Sequence, residues 1–139
     1  MVVLDANILI PAALGSKVLL LLGKYSSSVR FLTPATALDE ARRHLPALLL
    51  KRGVDPSGAN RILDQLTELI WLLEPGLYSD FESVARLRLR NRDEEDWPIL
   101  ASALAFNCPI WTEDMDFFGC GVATWTSDRI ELYLAEAKP

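Results

Sequence analysis

Short apolar runs and longer amphipathic segments alternate along the 139 residues of the chain. Runs of about four apolar residues that stop at an acid, a proline or a glycine are typical of buried strands. Five short, mostly apolar runs, each followed by an acid or a threonine, predict strands at Val2–Leu4, Val29–Leu32, Ile70–Leu73, Pro109–Thr112 and Val122–Trp125.

The segments between these runs carry helix signals. Apolar side chains recur three or four residues apart in the longest segment, and Pro56, which follows Asp55, suits a first helical position. Ser79 and Glu82 have the spacing of a capping box. The predicted helices are a short turn over Asn7–Leu14 broken by Pro11 and Gly15, Ser16–Tyr25, Thr36–Lys51, Asp55 to about Leu69, Asp80–Arg90, a helix that begins near Asp96, and Ser127–Ala137.

This order of elements predicts an α/β domain with a parallel sheet, since strands alternate with helices. A chain of this length has room for one core of ordinary size, and neither a linker nor an internal repeat divides it. Half of its residues are apolar and 24% are charged, which favours a packed domain over a disordered chain. We therefore expect one domain over residues 1–139.

The charge of the chain bears on its partners. A formal net charge of −5 counts against binding of nucleic acid by simple electrostatic attraction, because proteins that neutralise many phosphates are usually basic. Divalent cations held at an acidic site would weaken that objection, since each ion brings positive charge to the site. The charge thus permits a metal-dependent nuclease without indicating one.

Composition also favours the cytoplasm. Cys108 and Cys120 form no CxxC pair, so two reduced thiols are expected rather than a disulfide framework. The chain begins with an apolar run and an acid, whereas a signal peptide would begin with basic residues. The most apolar run, Val18–Leu22, is far too short to span a bilayer, and we expect no membrane association.

Acidic residues follow two of the predicted strands directly. Asp5 ends the first strand, and Asp114 and Asp116 come just after a later one. Ligands of parallel α/β sheets bind beyond the carboxyl ends of the strands, so these carboxylates should project into one crevice. Glu40, in the helix after the second strand, and Asp96, at the start of the helix DWPILASAL, are further acids that this fold would gather there.

Carboxylates gathered at one place repel one another unless a cation or protons intervene. Oxygen ligands without histidine or cysteine are typical of Mg²⁺ or Mn²⁺ rather than Zn²⁺, and His44 cannot form a zinc site alone. Such an ion would orient a water and offset the charge on a phosphate under in-line attack. The sequence contains no Walker P-loop, no GxGxxG motif and no recognisable Ser-His-Asp arrangement.

Two of the acidic positions are ambiguous in the sequence. The run RDEED ends at Asp96, so the third ligand could fall on Asp93 instead. Asp39 precedes Glu40, and because neighbouring helix positions point about 100° apart, only one of them can face the cluster. Each acid also has a purely structural interpretation as a turn former, an N-cap or a solvated helix residue.

Four segments resemble the PIN-domain family, which includes the VapC-type toxin nucleases. They occur in the order of the family: VVLDANILI, ALDEARRHL, EDWPILASALAF and PIWTEDMDFFG. The resemblance covers nearly the whole chain. It implies a three-layer α/β/α fold with a short-stranded, mostly parallel central sheet, and a metal-dependent endoribonuclease that hydrolyses RNA phosphodiester bonds.

The resemblance also implies residue roles and partners. The metal ligands and catalytic acids would be Asp5, Glu40, Asp96 and Asp114, with Asp116 as a further metal-binding acid. Asn7 and Thr112 would support the first and last of these acids, and the metal would be Mg²⁺ or Mn²⁺. RNA would be the substrate, and an antitoxin would be a partner if the chain is a toxin; a stand-alone nuclease is equally consistent with the resemblance.

Basic and apolar side chains give further expectations. The arginines at every second position from 86 to 92 fit either a solvated face with ion pairs or contacts to the RNA backbone. Three of the four tryptophans lie in or beside predicted strands, which favours the core over base stacking. Leu19–Leu22 fits either the core or a homodimer face. The candidate RNA-contacting residues are Arg42, Arg43, Arg86 and Arg90.

Two other functional classes share some of these features. A receiver or phosphatase-like domain also gathers acids around Mg²⁺, but the middle strand here ends in Glu74 and Pro75 where a phosphoacceptor aspartate should stand, and no lysine follows until Lys138. A catalytically silent PIN-like module would bind a protein partner instead of cutting RNA. The intact set of acids argues against the silent module, and Mn²⁺ binding would separate it from the enzyme.

Overall fold

The computed structural model describes residues 1–137, and a sheet of five short strands lies at its centre. The strands are β1 (Val2–Leu4), β2 (Phe31–Pro34), β3 (Trp71–Leu73), β4 (Ile110–Trp111) and β5 (Thr124–Trp125). Their order across the sheet is β3-β2-β1-β4-β5, and every neighbouring pair is parallel. The predicted α/β fold is confirmed, and the sheet expected to be mostly parallel is parallel throughout.

Seven α-helices in residues 1–137 connect and flank the strands. They are α1 (Ala6–Ala13), α2 (Lys17–Tyr25), α3 (Ala35–Lys51), α4 (Ala59–Leu66), α5 (Glu82–Arg88), α6 (Trp97–Phe106) and α7 (Ile130–Glu136). Six 3₁₀ segments precede or extend them, at Pro56–Gly58, Thr67–Leu69, Pro75–Leu77, Ser79–Phe81, Glu94–Asp96 and Met115–Phe117.

The helices form two groups that sandwich the sheet. α1 packs on α2, α3 and α4, whereas α6 packs on β1, β2 and β4 and also contacts α5. The chain steps from β1 to β2 to β3 in one direction and then returns to the other side of β1 for β4. Because crossovers between parallel strands are right-handed, this reversal places the two groups of helices on opposite faces. The result is three layers, α/β/α.

The central strands are buried on both faces, as in other parallel sheets covered by helices. Every residue of β1 and β2 is buried. Phe31 of β2 and Trp111 of β4 lie on either side of β1, with their ring centroids 6.3 Å apart. The buried apolar side chains form one cluster, and it includes Cys108 and Cys120, which form no disulfide.

The second strand lies two residues later than predicted, at Phe31–Pro34. Thr33 and Pro34, which lie beyond the predicted end of the strand, are the last two residues of β2. Both residues are buried. The Thr33 hydroxyl donates a hydrogen bond to the carbonyl oxygen of Leu4 at 2.8 Å, and Pro34 pairs in register with Leu73. A polar side chain is tolerated inside a protein when it has a partner.

Two helix predictions were wrong in detail. The capping box does not form, because α5 begins at Glu82 without a side-chain cap and the Glu82 carboxylate instead accepts a hydrogen bond from Arg86 at 2.8 Å. Pro11 does not break the first helix, which continues through it to Ala13. The chain turns only beyond the helix, at Gly15, where φ is +79°.

The leucine-rich segment of α2 divides between core and surface. Leu21 and Leu22 are buried, whereas Leu19 and Leu20 are exposed, Leu20 to 73%. Within residues 1–137 no single helix is long and apolar enough to cross a membrane, and α1 and α2 meet that criterion only as a pair bent by 98°. A homodimer through the exposed leucines stays a prediction.

Replacing Leu22 with alanine should lower the free energy of unfolding by about 2–5 kcal/mol, because a fully buried leucine would leave a cavity. Leu20→Ala on the same helix is the matched control and should change it by less than about 0.5 kcal/mol. Urea unfolding followed by circular dichroism measures both. Equal losses in the two variants would contradict the burial pattern of α2.

Candidate functional site

Two neighbouring strands end side by side at the centre of the sheet. β1 and β4 are adjacent, yet the chain leaves β1 toward β2 on one side and leaves β4 toward β5 on the other. Such a reversal of strand order opens a crevice beyond the carboxyl ends of the two strands. Asp5 directly follows β1 and Thr112 directly follows β4, so both residues lie at this crevice.

Asp5 is 6% exposed, and both of its carboxylate oxygens accept hydrogen bonds. Oδ1 accepts one from the backbone N–H of Ala6 at 2.7 Å, and Asp5 thereby caps α1. Oδ2 accepts one from the hydroxyl of Thr112 at 2.8 Å. Because a carboxylate has about four lone-pair sites, these two bonds fix Asp5 and leave capacity for a further ligand.

The Thr112 hydroxyl joins the end of β1 to the loop that follows β4. It donates a hydrogen bond to Asp5, and it accepts hydrogen bonds from the side-chain amide of Asn7 at 3.3 Å and from the N–H of Asp114 at 2.9 Å. A hydroxyl has one proton and two acceptor sites, so its hydrogen-bonding capacity is fully used. The Asn7 side-chain oxygen also accepts from the N–H of Glu113 at 3.2 Å, which ties the start of α1 to the same loop.

Asp114 and Asp116 lie on this loop, and both are half-buried. Asp114 caps Met115–Phe117 by accepting a hydrogen bond from the N–H of Asp116 at 2.9 Å. The charge of Asp114 raises the pKa of both Asp5 and Asp96, whereas Asp116 is not among the groups in residues 1–137 that do so. Asp114 therefore faces the other acids more closely than Asp116 does.

Asp96 and Asp93 differ in what their side chains do. Asp93 accepts a hydrogen bond from the N–H of Glu95 at 3.1 Å and caps the 3₁₀ segment that precedes α6. Asp96 occupies the N-cap of α6, but its side chain makes no capping hydrogen bond. Asp96 is also half-buried, whereas Asp93 is exposed. The geometry therefore favours Asp96 over Asp93 as the acid of the crevice.

Burial raises the pKa of Asp5 from its ordinary value of 3.8 to about 6. Desolvation is the main cause, because a charged carboxylate loses its hydration inside the protein. The hydrogen bond from Thr112 opposes this rise, and the negative charges of Glu40 and Asp114 add to it.

The pKa of Asp96 is raised further, from 3.8 to about 7. Desolvation is again the largest cause, followed by repulsion from Asp5, Asp93, Asp114 and Glu40. Five acids from four parts of the chain are therefore electrostatically coupled. No lysine or arginine within residues 1–137 is among the groups that shift the pKa of Asp5 or Asp96.

An open cavity of about 430 Å³ lies between the starts of α3 and α6. Glu40 and Asp96 line it, together with Arg43 and Trp97. Asp39 also lines the cavity, but Glu40 is the more buried of the two and is the one whose charge acts on Asp5 and Asp96. The geometry thus favours Glu40 over Asp39 as the acid of the crevice.

The chemistry of these donors suits a hard divalent cation, which prefers carboxylate oxygens and would offset the repulsion among them. Within residues 1–137, however, no group of three or more acidic, histidine or cysteine side chains converges tightly enough to hold a metal ion. The donor atoms of these acids suit such an ion chemically, and the ligand set stays a prediction.

The arginines predicted near the substrate at the start of α3 face different ways. Arg43 lines the cavity beside Glu40. Arg42 turns toward α4, where its guanidinium donates hydrogen bonds to Asp64 at 2.8 Å and Asn60 at 3.0 Å. Because that guanidinium already has two partners, Arg43 is the better placed of the two to meet a phosphate.

The arginines of α5 also differ. Arg86 forms ion pairs with Glu82 at 2.8 Å and Glu95 at 3.8 Å, and its guanidinium lies 5.4 Å from the ring centroid of Trp97. Arg90 is exposed. For Arg86 the structure supports a place on a solvated, ion-paired face over a contact with the RNA backbone.

Two arginines that were not among the predicted site residues contact the loop after β4. Arg92 donates hydrogen bonds to the carbonyl oxygens of Asp116 and Phe118, and Arg88 donates one to that of Cys120 at 3.1 Å. The spacing of the arginines was visible in the sequence. Which of them turn toward the loop depends on the path of the chain after α5, where Asn91 has a φ of +67°.

The tryptophans are only partly in the core. Trp111 is fully buried, whereas Trp97 and Trp125 are half-buried. Trp71 lies on the edge strand β3 and is 58% exposed, with the guanidinium of Arg30 4.2 Å from its ring centroid. The prediction of a core position is wrong for Trp71, because an edge strand has one side without a neighbour.

Comparison with known proteins agrees with this description. The family model for the PIN domain matches residues 3–135. The crystal structure of PAE2754 from Pyrobaculum aerophilum is similar in fold, with a TM-score of 0.69 at 18% sequence identity over 96% of this chain and 88% of that chain. No curated protein matches the chain. Because the family match extends over almost the whole sequence and contains all the acids of the crevice, the chain belongs to the PIN-domain family, whose fold is typically that of a nuclease.

Proposed function

We propose that this PIN domain is a metal-dependent endoribonuclease that hydrolyses RNA phosphodiester bonds at the crevice beyond β1 and β4. In this proposal the ligands of Mg²⁺ or Mn²⁺ are Asp5, Glu40, Asp96 and Asp114, and Asp116 assists directly or through a water. The alternative is a catalytically silent module that binds a protein partner.

The observation that carries the proposal is the placement of Asp5 and Asp96 at the crevice. Asp5 is buried beyond β1 and accepts a hydrogen bond from Thr112 beyond β4, and Asp96 is half-buried at the start of α6 with no capping hydrogen bond. Both carboxyls have a raised pKa because they are removed from water among other negative charges. Such an arrangement costs stability, and perturbed acids in a cleft are typical of functional sites. A divalent cation is the simplest partner that would offset this repulsion.

When bound, the ion would activate a water and offset the charge that builds on the phosphate. Neighbouring groups of the chain orient the carboxylates that would bind the ion. Thr112 fixes one oxygen of Asp5, and the cap on α1 fixes the other. Asp96 makes no capping hydrogen bond, so its carboxylate is free to turn toward the crevice.

The cavity beside the acids supports a nucleic-acid substrate. Arg43 brings a cation to its wall, and contacts of arginine with phosphate position a strand without reading its sequence. Trp97 adds an aromatic surface next to Asp96. RNA is proposed over DNA on the resemblance to the ribonucleases of the family.

The biological role is a separate proposal. A toxin held inactive by an antitoxin, and a stand-alone nuclease, both fit this site, and the cytoplasm is the expected compartment. A short upstream reading frame with a DNA-binding pattern beside the gene would support the toxin role.

Asp96→Asn should reduce RNA cleavage in Mn²⁺ by about 100-fold or more, since even residues that only support a metal ligand cost up to about 100-fold. Glu68→Gln is the matched control, because Glu68 is exposed and precedes β3 at the opposite end of the sheet. Cleavage of a labelled RNA with and without EDTA measures the effect. Full activity of pure Asp96→Asn would refute the assignment.

The raised pKa values also predict how stability without metal depends on pH. Between about pH 4 and pH 7 the folded chain retains protons that the unfolded chain has released, so these two acids make the free energy of unfolding fall as pH rises. The rise at Asp5, from 3.8 to about 6, corresponds to about 3 kcal/mol.

The asparagine of the Asp5→Asn variant cannot ionise. The free energy of unfolding of this variant should therefore fall less steeply as pH rises. Urea unfolding in EDTA at several pH values measures both proteins, and added Mn²⁺ should stabilise the wild type more as pH rises, because protons then compete less with the ion. Parallel pH curves for wild type and variant would contradict the raised pKa of Asp5.

Thr112→Val should weaken Mn²⁺ binding by about 10- to 100-fold, because Asp5 loses the donor that orients it. The variant should also lose about 1–3 kcal/mol of stability, since buried polar groups are left without a partner. Thr112→Ser keeps the hydroxyl and serves as the control. Calorimetric titration with Mn²⁺ and thermal unfolding test both effects, and equal affinities for all three proteins would show that the hydroxyl has no role in metal binding.

A further inference from the structure

The segment that connects α5 to α6 contacts the loop that follows β4. These two pieces of chain carry acids of the same crevice, since α6 begins after Asp96 and the loop contains Asp114 and Asp116. They are neighbours in space and about twenty residues apart in sequence. Their contact is made by arginine side chains that the proposed metal site does not use.

Arg92 makes the contact nearest to the acids. Its Nη1 donates to the carbonyl oxygen of Asp116 at 2.6 Å and also to the carbonyl oxygen of Phe118. One guanidinium nitrogen therefore spans both ends of a short turn, and a hydrogen bond from a charged donor is stronger than one between neutral groups. The backbone that carries Asp116 is fixed by this contact.

Arg88 holds the far end of the same loop. Its Nη1 donates to the carbonyl oxygen of Cys120 at 3.1 Å. Gly121 has a φ of +89°, and a Cβ atom there would lie 2.7 Å from that nitrogen. The glycine thus lets the guanidinium approach the backbone closely, so the loop and the arginine fit each other.

The path of the chain explains why these two arginines reach the loop. α5 ends at Arg88, Leu89 is fully buried, and the N–H of Arg92 bonds to the Leu89 carbonyl oxygen at 2.9 Å in the turn that follows. Asn91 takes a left-handed conformation in that turn. The buried leucine anchors the segment, and the turn directs Arg92 toward the same loop as Arg88.

We infer that Arg92 and Arg88 are positioning residues, which hold the loop so that Asp114 stays beside Asp96 in the metal site. This inference rests on the proposed function. Acids that repel one another would separate if the loop were free to move, and the hydrogen bonds from the arginines oppose that separation without neutralising the carboxylates. The arginines act on backbone oxygens and do not touch the substrate.

The test compares Arg92→Ala, Arg92→Lys and Arg88→Ala with the wild-type chain. Arg52→Ala is the matched control, since Arg52 is exposed just beyond the end of α3, about 18 Å along the helix axis from Glu40. Calorimetry measures Mn²⁺ affinity, hydrogen exchange measures the loop amides of residues 115–121, and steady-state kinetics separates kcat from KM for RNA.

Arg92→Ala should weaken Mn²⁺ binding by about 10- to 100-fold, the range found for residues that orient a ligand. It should also speed exchange at the loop amides and lower kcat with little change in KM. The loss of Mn²⁺ affinity should be smaller in Arg92→Lys and in Arg88→Ala than in Arg92→Ala. Arg52→Ala should bind Mn²⁺ as tightly as the wild type. Millimolar guanidinium should partly restore Mn²⁺ binding to Arg92→Ala.

Three results would overturn the inference, and they can be told apart. If the wild type binds no Mn²⁺ and cuts no RNA, the proposed function fails and the inference fails with it. If the wild type is active but Arg92→Ala binds Mn²⁺ normally and exchanges normally, only the positioning role fails. A raised KM with unchanged Mn²⁺ affinity would make Arg92 an RNA contact instead.

Discussion

The repulsion among carboxylates at the end of a parallel sheet is the constraint on which the site depends. Asp5 is buried, and its charge, together with those of Glu40 and Asp114, acts on Asp96. Like charges in this setting destabilise the folded chain unless protons or a cation offset them. The fold therefore has to supply rigid supports, and it does so mainly through backbone and hydroxyl hydrogen bonds.

The order of the strands determines where this constraint acts. At the reversal between β1 and β4, two adjacent strands send their following segments away from each other. The Thr112 hydroxyl bridges that gap, because its three hydrogen bonds reach Asp5 at the end of β1, Asn7 at the start of α1 and Asp114 in the loop after β4. A single hydroxyl thus holds the acid of β1 and the loop after β4 in a fixed relation.

The two acids contributed by helices are held differently. Glu40 lies near the start of α3, which is anchored by a buried apolar face, and Asp96 lies at the start of α6, which packs on three strands of the sheet. Their side chains remain adjustable, since Asp96 caps nothing and Glu40 lines an open cavity. The crevice thus combines a fixed acid at the end of β1 with adjustable acids at the starts of two helices. This combination would let the proposed cation bind without a change in the fold.

The sequence by itself determined the α/β class, the approximate strands and the acids that end them, because apolar runs and their stopping residues are local signals. The resemblance added the order of the four acidic segments. The sequence could not choose between Asp93 and Asp96, because that choice depends on which side chain caps the 3₁₀ turn. Only the tertiary structure decided the position of β2, in which the buried Thr33 donates a hydrogen bond to the carbonyl oxygen of Leu4, and the exposure of Trp71 on an edge strand. It also decided that Arg92 contacts the loop after β4, since the acceptors are main-chain oxygens 24 and 26 residues away that no pattern of side chains reveals.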